Sequence, residues 1–161
     1  MDGLPVDVER ELDGVAETLA KEPQVLVHRD FQSSNLLYAD GGMKPMLIDY
    51  QGLRPGAAAY DVASLLYDPY VPLDGTDRKL LLELLAKETS SPSPRLVTLA
   101  AIQRLCQALG AYCRLVAAGQ PRFTAYILRA LGNLHHAVHE AELPALAAFS
   151  HTLIEREKIR R

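Results

Sequence analysis

The run His28-Arg29-Asp30-Phe31-Gln32-Ser33-Ser34-Asn35, with Asp49 further on in Leu47-Ile48-Asp49-Tyr50, combines two carboxylates and an amide at close spacing. Such a set suits phosphoryl transfer from ATP, which asks a protein for positioning and charge neutralisation more than for covalent chemistry. Mg2+ is a hard cation that prefers oxygen. One carboxylate (Asp49) and one amide oxygen (Asn35) would hold it, leaving water and phosphate oxygens to complete its shell. Asp30 would stay off the metal, face an acceptor hydroxyl, orient it and take its proton. Four residues between Asp30 and Asn35 let one loop present both side chains to a single cleft.

The spacing matches the H-R-D-x-x-x-x-N pattern of kinase catalytic loops, with Asp49 in the place of the second metal-binding carboxylate. In that pattern the histidine packs beneath the loop and holds its backbone, so His28 is expected to be structural. Arg29 either supports the loop or is a surface charge. Gln32, Ser33 and Ser34 place no cation between Asp30 and Asn35. A cation for the γ-phosphate therefore comes from Mg2+ or from another part of the enzyme.

The elements that must position these groups follow from periodicity. Leu36–Tyr38 and Met46–Tyr50 are short apolar runs around Ala39-Asp40-Gly41-Gly42, the composition of a hairpin turn. That hairpin returns Asp49 to the end of the domain that carries Asn35. Gln24–His28 reads as a strand leading into the loop. Before it, Val8, Leu12, Val15, Ala16 and Leu19 recur at helical spacing over Val6–Lys21. From Ala57 the pattern is helical almost throughout. Helices are expected over Ala58–Tyr67, over Asp77–Lys87 with Thr76 as N-cap, and from Ser93-Pro94 to Ala118. Two more run over Pro121–Glu142 and Pro144–Arg160, and Glu88–Ser93 reads as a loop. The fold class is α+β, mostly helical, with one small β-hairpin. Residues 1–161 form a single domain, in which residues 24–50 carry the catalytic loop and the metal-binding hairpin.

Composition narrows the function classes. The chain has 161 residues, 48% of them apolar, which excludes disorder and allows a real core. Seventeen Lys and Arg against 20 Asp and Glu give no basic excess for nucleic acid or an anionic membrane. No apolar run approaches the roughly 20 residues of a membrane helix, and the acidic start is unlike a secretory signal, so cytoplasm is the expected compartment. Cys106 and Cys113 lie in one expected helix, about 10.5 Å apart along its axis, too far to pair; both are expected in the core. His135, His136 and His139 read as a solvated or partly buried helix face, because zinc wants three or four ligands.

The run HRDFQSSNLLY, then MLIDYQGLRPGAAAYDVASLLYDPYV, resembles the aminoglycoside phosphotransferase-like kinases. Within them it is most similar to the bacterial anomeric kinases of N-acetylmuramate and N-acetylglucosamine. The likeness extends to Ala101-Ile102-Gln103-Arg104 and Gly119-Gln120-Pro121-Arg122 and covers about Val25 to Leu131. It implies the carboxy-terminal lobe of a protein-kinase-like fold, with Asp30 as catalytic base and Asn35 and Asp49 as Mg2+ ligands. It further implies that Asp61 braces the catalytic loop through backbone amides, and it leaves Gln51 either touching substrate or capping a turn. Partners are ATP and a sugar acceptor. An amino-terminal lobe or partner chain is expected to supply the Gly-rich phosphate loop and strand lysine, neither of which occurs among the 27 residues before His28. Where the family carries Gly-Pro, this chain has Arg54-Pro55-Gly56-Ala57, and an altered turn is expected there. An aminoglycoside antibiotic kinase lobe, or a non-catalytic kinase-like lobe that binds a partner, are the alternatives.

Overall fold

The computed structural model describes residues 3–39, 44–87 and 91–159. The expected turn residues Asp40 to Gly42, the start of the Glu88–Ser93 loop and the last two arginines lie outside them. Six α-helices and four short strands make up the described chain. The helices are α1 (Val6–Ala20), α2 (Ala59–Leu66), α3 (Gly75–Leu85), α4 (Pro94–Ala117), α5 (Thr124–Glu140) and α6 (Pro144–Ile159). The strands are β1 (Gln24–Val27), β2 (Leu36–Tyr38), β3 (Pro45–Leu47) and β4 (Arg54–Ala57).

The spine is α4, which packs against α1, α2 and α5. Its start is set by Ser93, whose hydroxyl accepts from the Leu96 amide, and by Pro94 in the first turn. Its end is followed by Gly119 at φ +85°, a left-handed backbone that glycine adopts without a Cβ clash. Val97, Ala101, Ile102 and Leu105 are wholly buried or nearly so, against Leu134 and Val138 of α5 and Ala63 of α2. Among the described helices α4 alone is long and apolar enough to cross a membrane, although arginines break its apolar run; half of that stretch is buried inside the fold. On the far side, the Glu11 carboxylate accepts the amides of Ala145 (3.0 Å) and Leu146 (2.8 Å). A side chain of α1 thereby satisfies the exposed donors at the start of α6 and ties the two ends of the chain together.

Several boundaries depart from expectation for identifiable reasons. The N-cap of α3 is Asp74 and not Thr76, because its carboxylate accepts from both Thr76 and Asp77 amides while Asp77 reaches back. Pro121 starts a separate 3-10 turn to Phe123 before α5 begins. Cys106 packs against the core and burial pushes its thiol pKa up, but Cys113 faces solvent.

The strands form two antiparallel ladders rather than one. The hairpin pairs β2 with β3, with Leu36 opposite Leu47. The second ladder pairs β1 with β4, placing Val25 opposite Gly56 and Val27 opposite Arg54. So Arg54-Pro55-Gly56-Ala57, expected as a turn, is a strand. Pro55 is tolerated because a two-stranded ladder leaves each strand an edge whose amides need no partner. Gly56 is required by packing: a Cβ there would lie 2.7 Å from Val27 Cγ2.

Candidate active site

The loop from His28 to Asn35 leaves β1 and enters the hairpin through a 3-10 turn at Ser33–Asn35. Its shape is held by two carboxylates borne by α2 and the residues after it. Asp61, in the first turn of α2, accepts the amides of His28 (2.6 Å, Oδ2) and Arg29 (2.9 Å, Oδ1). Asp68, which is 2% exposed, accepts the Ser33 amide (3.0 Å) and hydroxyl (2.7 Å) through Oδ2 and the Tyr70 amide (2.8 Å) through Oδ1. A buried carboxylate is tolerable only when donors satisfy it, and charge-assisted bonds of this kind are among the stronger ones. The two aspartates pin the beginning and the later part of the loop to α2 and to the turn that follows it.

Arg29 has φ +71° and Asp49 φ +64°, two of the three non-glycine residues in left-handed backbone among those described. Such conformations cost about 1–3 kcal/mol each and persist where the surroundings over-determine them. At Arg29 the bond from its amide to Asp61 supplies that constraint. His28 is buried, with Nε2 3.0 Å from the Ile48 carbonyl. A carbonyl only accepts, so Nε2 carries the proton and the ring fastens the loop to the strand-end that bears Asp49.

Asp30 lies at the centre. Its Oδ1 pairs with Arg104 Nη2 at 3.0 Å, and its Oδ2 accepts from Asn35 Nδ2 and Gln32 Nε2, each at 3.2 Å. Asn35 Nδ2 also donates to the Asp30 carbonyl at 2.8 Å. Both contacts engage the nitrogen end of the Asn35 amide, so its oxygen has no donor among the described residues. The Ile48 amide donates to the Asn35 carbonyl at 3.0 Å, and this bond closes the hairpin and brings Asp49, the next residue, back to the end of the hairpin that carries Asn35. The Gln51 side chain donates to Asp49 Oδ1. The amide oxygen of Asn35 and the carboxylate of Asp49 are hard donors of the kind Mg2+ takes, and two protein ligands are a usual number for that ion. Among the described residues no group of three His, Cys, Asp or Glu is arranged to hold a metal.

Beside the loop, a cleft of about 280 Å3 opens between α1, the β1–β4 ladder and α4. Arg29, Arg54, Tyr60, Gln103 and Gln107 line it over an apolar floor. The Tyr60 hydroxyl donates to Gln107 Oε1 at 2.6 Å. Burial raises the Tyr60 pKa, and the Arg104 and Arg29 guanidinium groups partly oppose that rise, so the phenol lies within electrostatic reach of the catalytic loop. A larger cavity of about 680 Å3 lies elsewhere, between α5 and α6, and His135, His139 and His151 line it. It shares no residue with the loop.

Sequence reasoning overlooked two members of this cluster. Asp68 precedes Pro69 and reads as a helix stop, with nothing local to mark it as a brace. Arg104 carries a usable signal, a lone cation among Ala100, Ala101, Leu105 and Ala108, which are buried residues of α4.

Asp30 is held by three donors, Arg104, Asn35 and Gln32, and the hairpin returns Asp49 toward the end that carries Asn35. Residues 4–88 match the phosphotransferase enzyme family, APH, and the chain belongs to that family. A stretch of 60 residues is 37% identical to the N-acetylmuramate/N-acetylglucosamine kinase of Neisseria meningitidis serogroup B. It covers 37% of this chain and 17% of that protein's length.

Proposed function

We propose that residues 1–161 form one kinase-like carboxy-terminal lobe that acts in ATP-dependent phosphorylation of a sugar hydroxyl, with an amino sugar such as N-acetylmuramate or N-acetylglucosamine as acceptor. The observation that carries this reading is the contact of Asn35 with Asp30 through its nitrogen end, with the Ile48–Asn35 bond returning the residue before Asp49 to the same end of the hairpin. Likeness to the Neisseria kinase supports the choice of acceptor. Adenine and most phosphate contacts belong to a further lobe or a partner chain.

In this reading Asp30 orients the acceptor hydroxyl and takes its proton as the acceptor oxygen bonds to the γ-phosphorus. The bond from that phosphorus to the ADP oxygen breaks. Asn35 and Asp49 would hold Mg2+, which when bound would neutralise charge on the phosphates. Arg104 keeps Asp30 aimed, and Asp61 and Asp68 keep the loop in shape. Gln51, donating to Asp49, steadies that ligand or turns to the substrate.

Titrating the chain with Mn2+, used as a paramagnetic stand-in for Mg2+, tests the metal half. Amide resonances near Asn35 and Asp49 broaden first, and Asp49→Asn removes the effect. Broadening centred elsewhere overturns the assignment. For the acceptor, the chain joined to an amino-terminal lobe is assayed for ATP consumption with N-acetylmuramate, N-acetylglucosamine and kanamycin. Stimulation by kanamycin alone reassigns the protein to antibiotic phosphorylation.

A further inference from the structure

We propose that the cleft bounded by α1, the β1–β4 ladder and α4 is the acceptor subsite, and that it selects a sugar carrying an anionic group over a neutral one and a neutral one over a cation. This rests on the phosphotransfer reading of Asp30 and adds to it the charge class of the acceptor.

The cleft's volume, about 280 Å3, is of the order needed for a single sugar ring with a substituent. Its floor is apolar, built by Leu19, Val27 and Ala100 among others, and its polar groups converge from β1, the loop, β4, α2 and α4. That combination, an apolar surface with a few placed polar groups, is what small-molecule sites share. The sign of the charge is the informative part. Two arginines line the cleft and no carboxylate does. Neither the Arg29 nor the Arg54 guanidinium takes a hydrogen bond or ion pair among the described residues. The nearby acids are already engaged: Asp61 by two backbone amides and Asp30 by Arg104. Two unpaired guanidinium groups present planar forks that match a carboxylate or a phosphate and repel an ammonium.

The cleft adjoins the loop through chain neighbours of the Asp30–Arg104 pair. Arg29 immediately precedes Asp30, and Gln103 immediately precedes Arg104, the residue paired with Asp30. Tyr60, one wall of the cleft, feels the charges of Arg104, Arg29, Asp61 and Asp30. A ring seated on the apolar floor has its acidic substituent at Arg29 and Arg54, while Asp30 and Arg104 lie outside the lining, one residue beyond Arg29 and Gln103 in the chain.

Three probes that differ in charge test this on the 161-residue chain without nucleotide: glucuronate, glucose and glucosamine, titrated at pH 7 and low salt while amide and side-chain resonances are followed. We expect shifts at Tyr60, Gln103 and Gln107. Kd should rise in the order glucuronate, glucose, glucosamine, with about tenfold or more between the ends, and the span should narrow at high salt. Arg54→Gln, on an exposed strand position, should bring the three within about twofold, and Arg54→Lys should keep part of the preference because it keeps the charge. Glucosamine binding as tightly as glucuronate, an Arg54→Gln variant with the preference intact, or no shift of these residues by any probe would each overturn the proposal. The Mn2+ titration above uses no sugar, so the two readings fail separately. An intact metal response with a silent cleft places the acceptor elsewhere. A responsive cleft with no metal response leaves a sugar-acid site without phosphotransfer.

Discussion

Asp30 Oδ1 and Arg104 Nη2 lie 3.0 Å apart, joining the catalytic loop to the middle of α4 across 74 residues of sequence. The Asp30 side chain is 43% exposed, so the pair is screened by solvent and contributes only about 0–1 kcal/mol to stability. Its consequence is directional: with Oδ1 on Arg104 and Oδ2 on Asn35 and Gln32, the carboxylate is held in one orientation. Arg104→Gln should therefore shift the melting temperature by only a few degrees. In a form joined to an amino-terminal lobe it should lower turnover about tenfold or more with KM for ATP little changed. Arg104→Lys should recover part of the turnover, since it restores the charge without the fork. A variant that melts far earlier but turns over normally would make Arg104 a core support only.

Asp61 and Asp68 should behave oppositely to Asp30. Asp61→Ala orphans the His28 and Arg29 amides, at about 1–3 kcal/mol for each group left unsatisfied, and releases the left-handed backbone at Arg29. Asp68→Ala orphans the Ser33 amide, its hydroxyl and the Tyr70 amide at a more buried position, so it should cost at least as much. Asp30→Asn keeps the shape and, on the proposed reading, removes the base. It should leave the thermal melt nearly unchanged while turnover in the two-lobed form falls about 10²-fold or more. Thermal melts of the three variants beside turnover decide the matter. Early melting of Asp30→Asn with a neutral Asp61→Ala would reverse the two roles.

The contrast between these residues shows what the sequence reveals and what it hides. The helical framework was legible because α1, α4 and α5 carry apolar residues at the helical period and are bounded by Pro, Ser and Gly with stereochemical reasons to be there. The loop stood out because Asp30, Asn35 and Asp49 are spaced as phosphotransfer would ask, and the structure adds the Asp61 and Asp68 bonds that hold its shape. The β1–β4 ladder was not, since Arg54-Pro55-Gly56-Ala57 has turn composition and becomes a strand only by pairing with Gln24–Val27. Arg104 and Asp68 were hidden for a related reason. Their partners lie 74 and 35 residues away, a proximity that local pattern does not encode.

Gly56 and Gly14 should respond to the same substitution with opposite signs. A Cβ on Gly56 would lie 2.7 Å from Val27 Cγ2, a branched side chain that is buried and cannot swing away. Gly56→Ala should therefore lose about 1–3 kcal/mol from the forced shift, only partly offset by the lower entropy of the unfolded chain. Gly14 is exposed in the middle of α1 with nothing within 4 Å of an added Cβ. Gly14→Ala should gain about 0.5–1 kcal/mol. Urea unfolding of both variants measures the difference. A neutral Gly56→Ala would mean that the ladder slides apart easily and that the cleft floor it forms is soft.

The last prediction concerns pH and the cavity between α5 and α6. His135 Nδ1 lies 2.9 Å from Ser150 Oγ, and that hydroxyl donates to the Ala147 carbonyl, so Nδ1–H is the donor to Ser150. Burial lowers the His135 pKa, and the His139 and His151 rings, 4.5 Å and 5.9 Å away, lower it further when charged. The folded state thus prefers the neutral ring, while the unfolded chain takes up a proton near the ordinary histidine value of about 6.5. Above that pH both states are neutral and the contribution of this group is complete. As pH falls through 6.5 toward the depressed folded-state value, unfolding gains a proton and stability is lost. His135→Asn keeps a donor for Ser150 and removes the titration. Melts from pH 8 to pH 5 should fall more steeply for the parent than for the variant below about pH 6.5, with the two running parallel above it. Parallel curves throughout would show that the folded and unfolded states bind the proton at His135 equally.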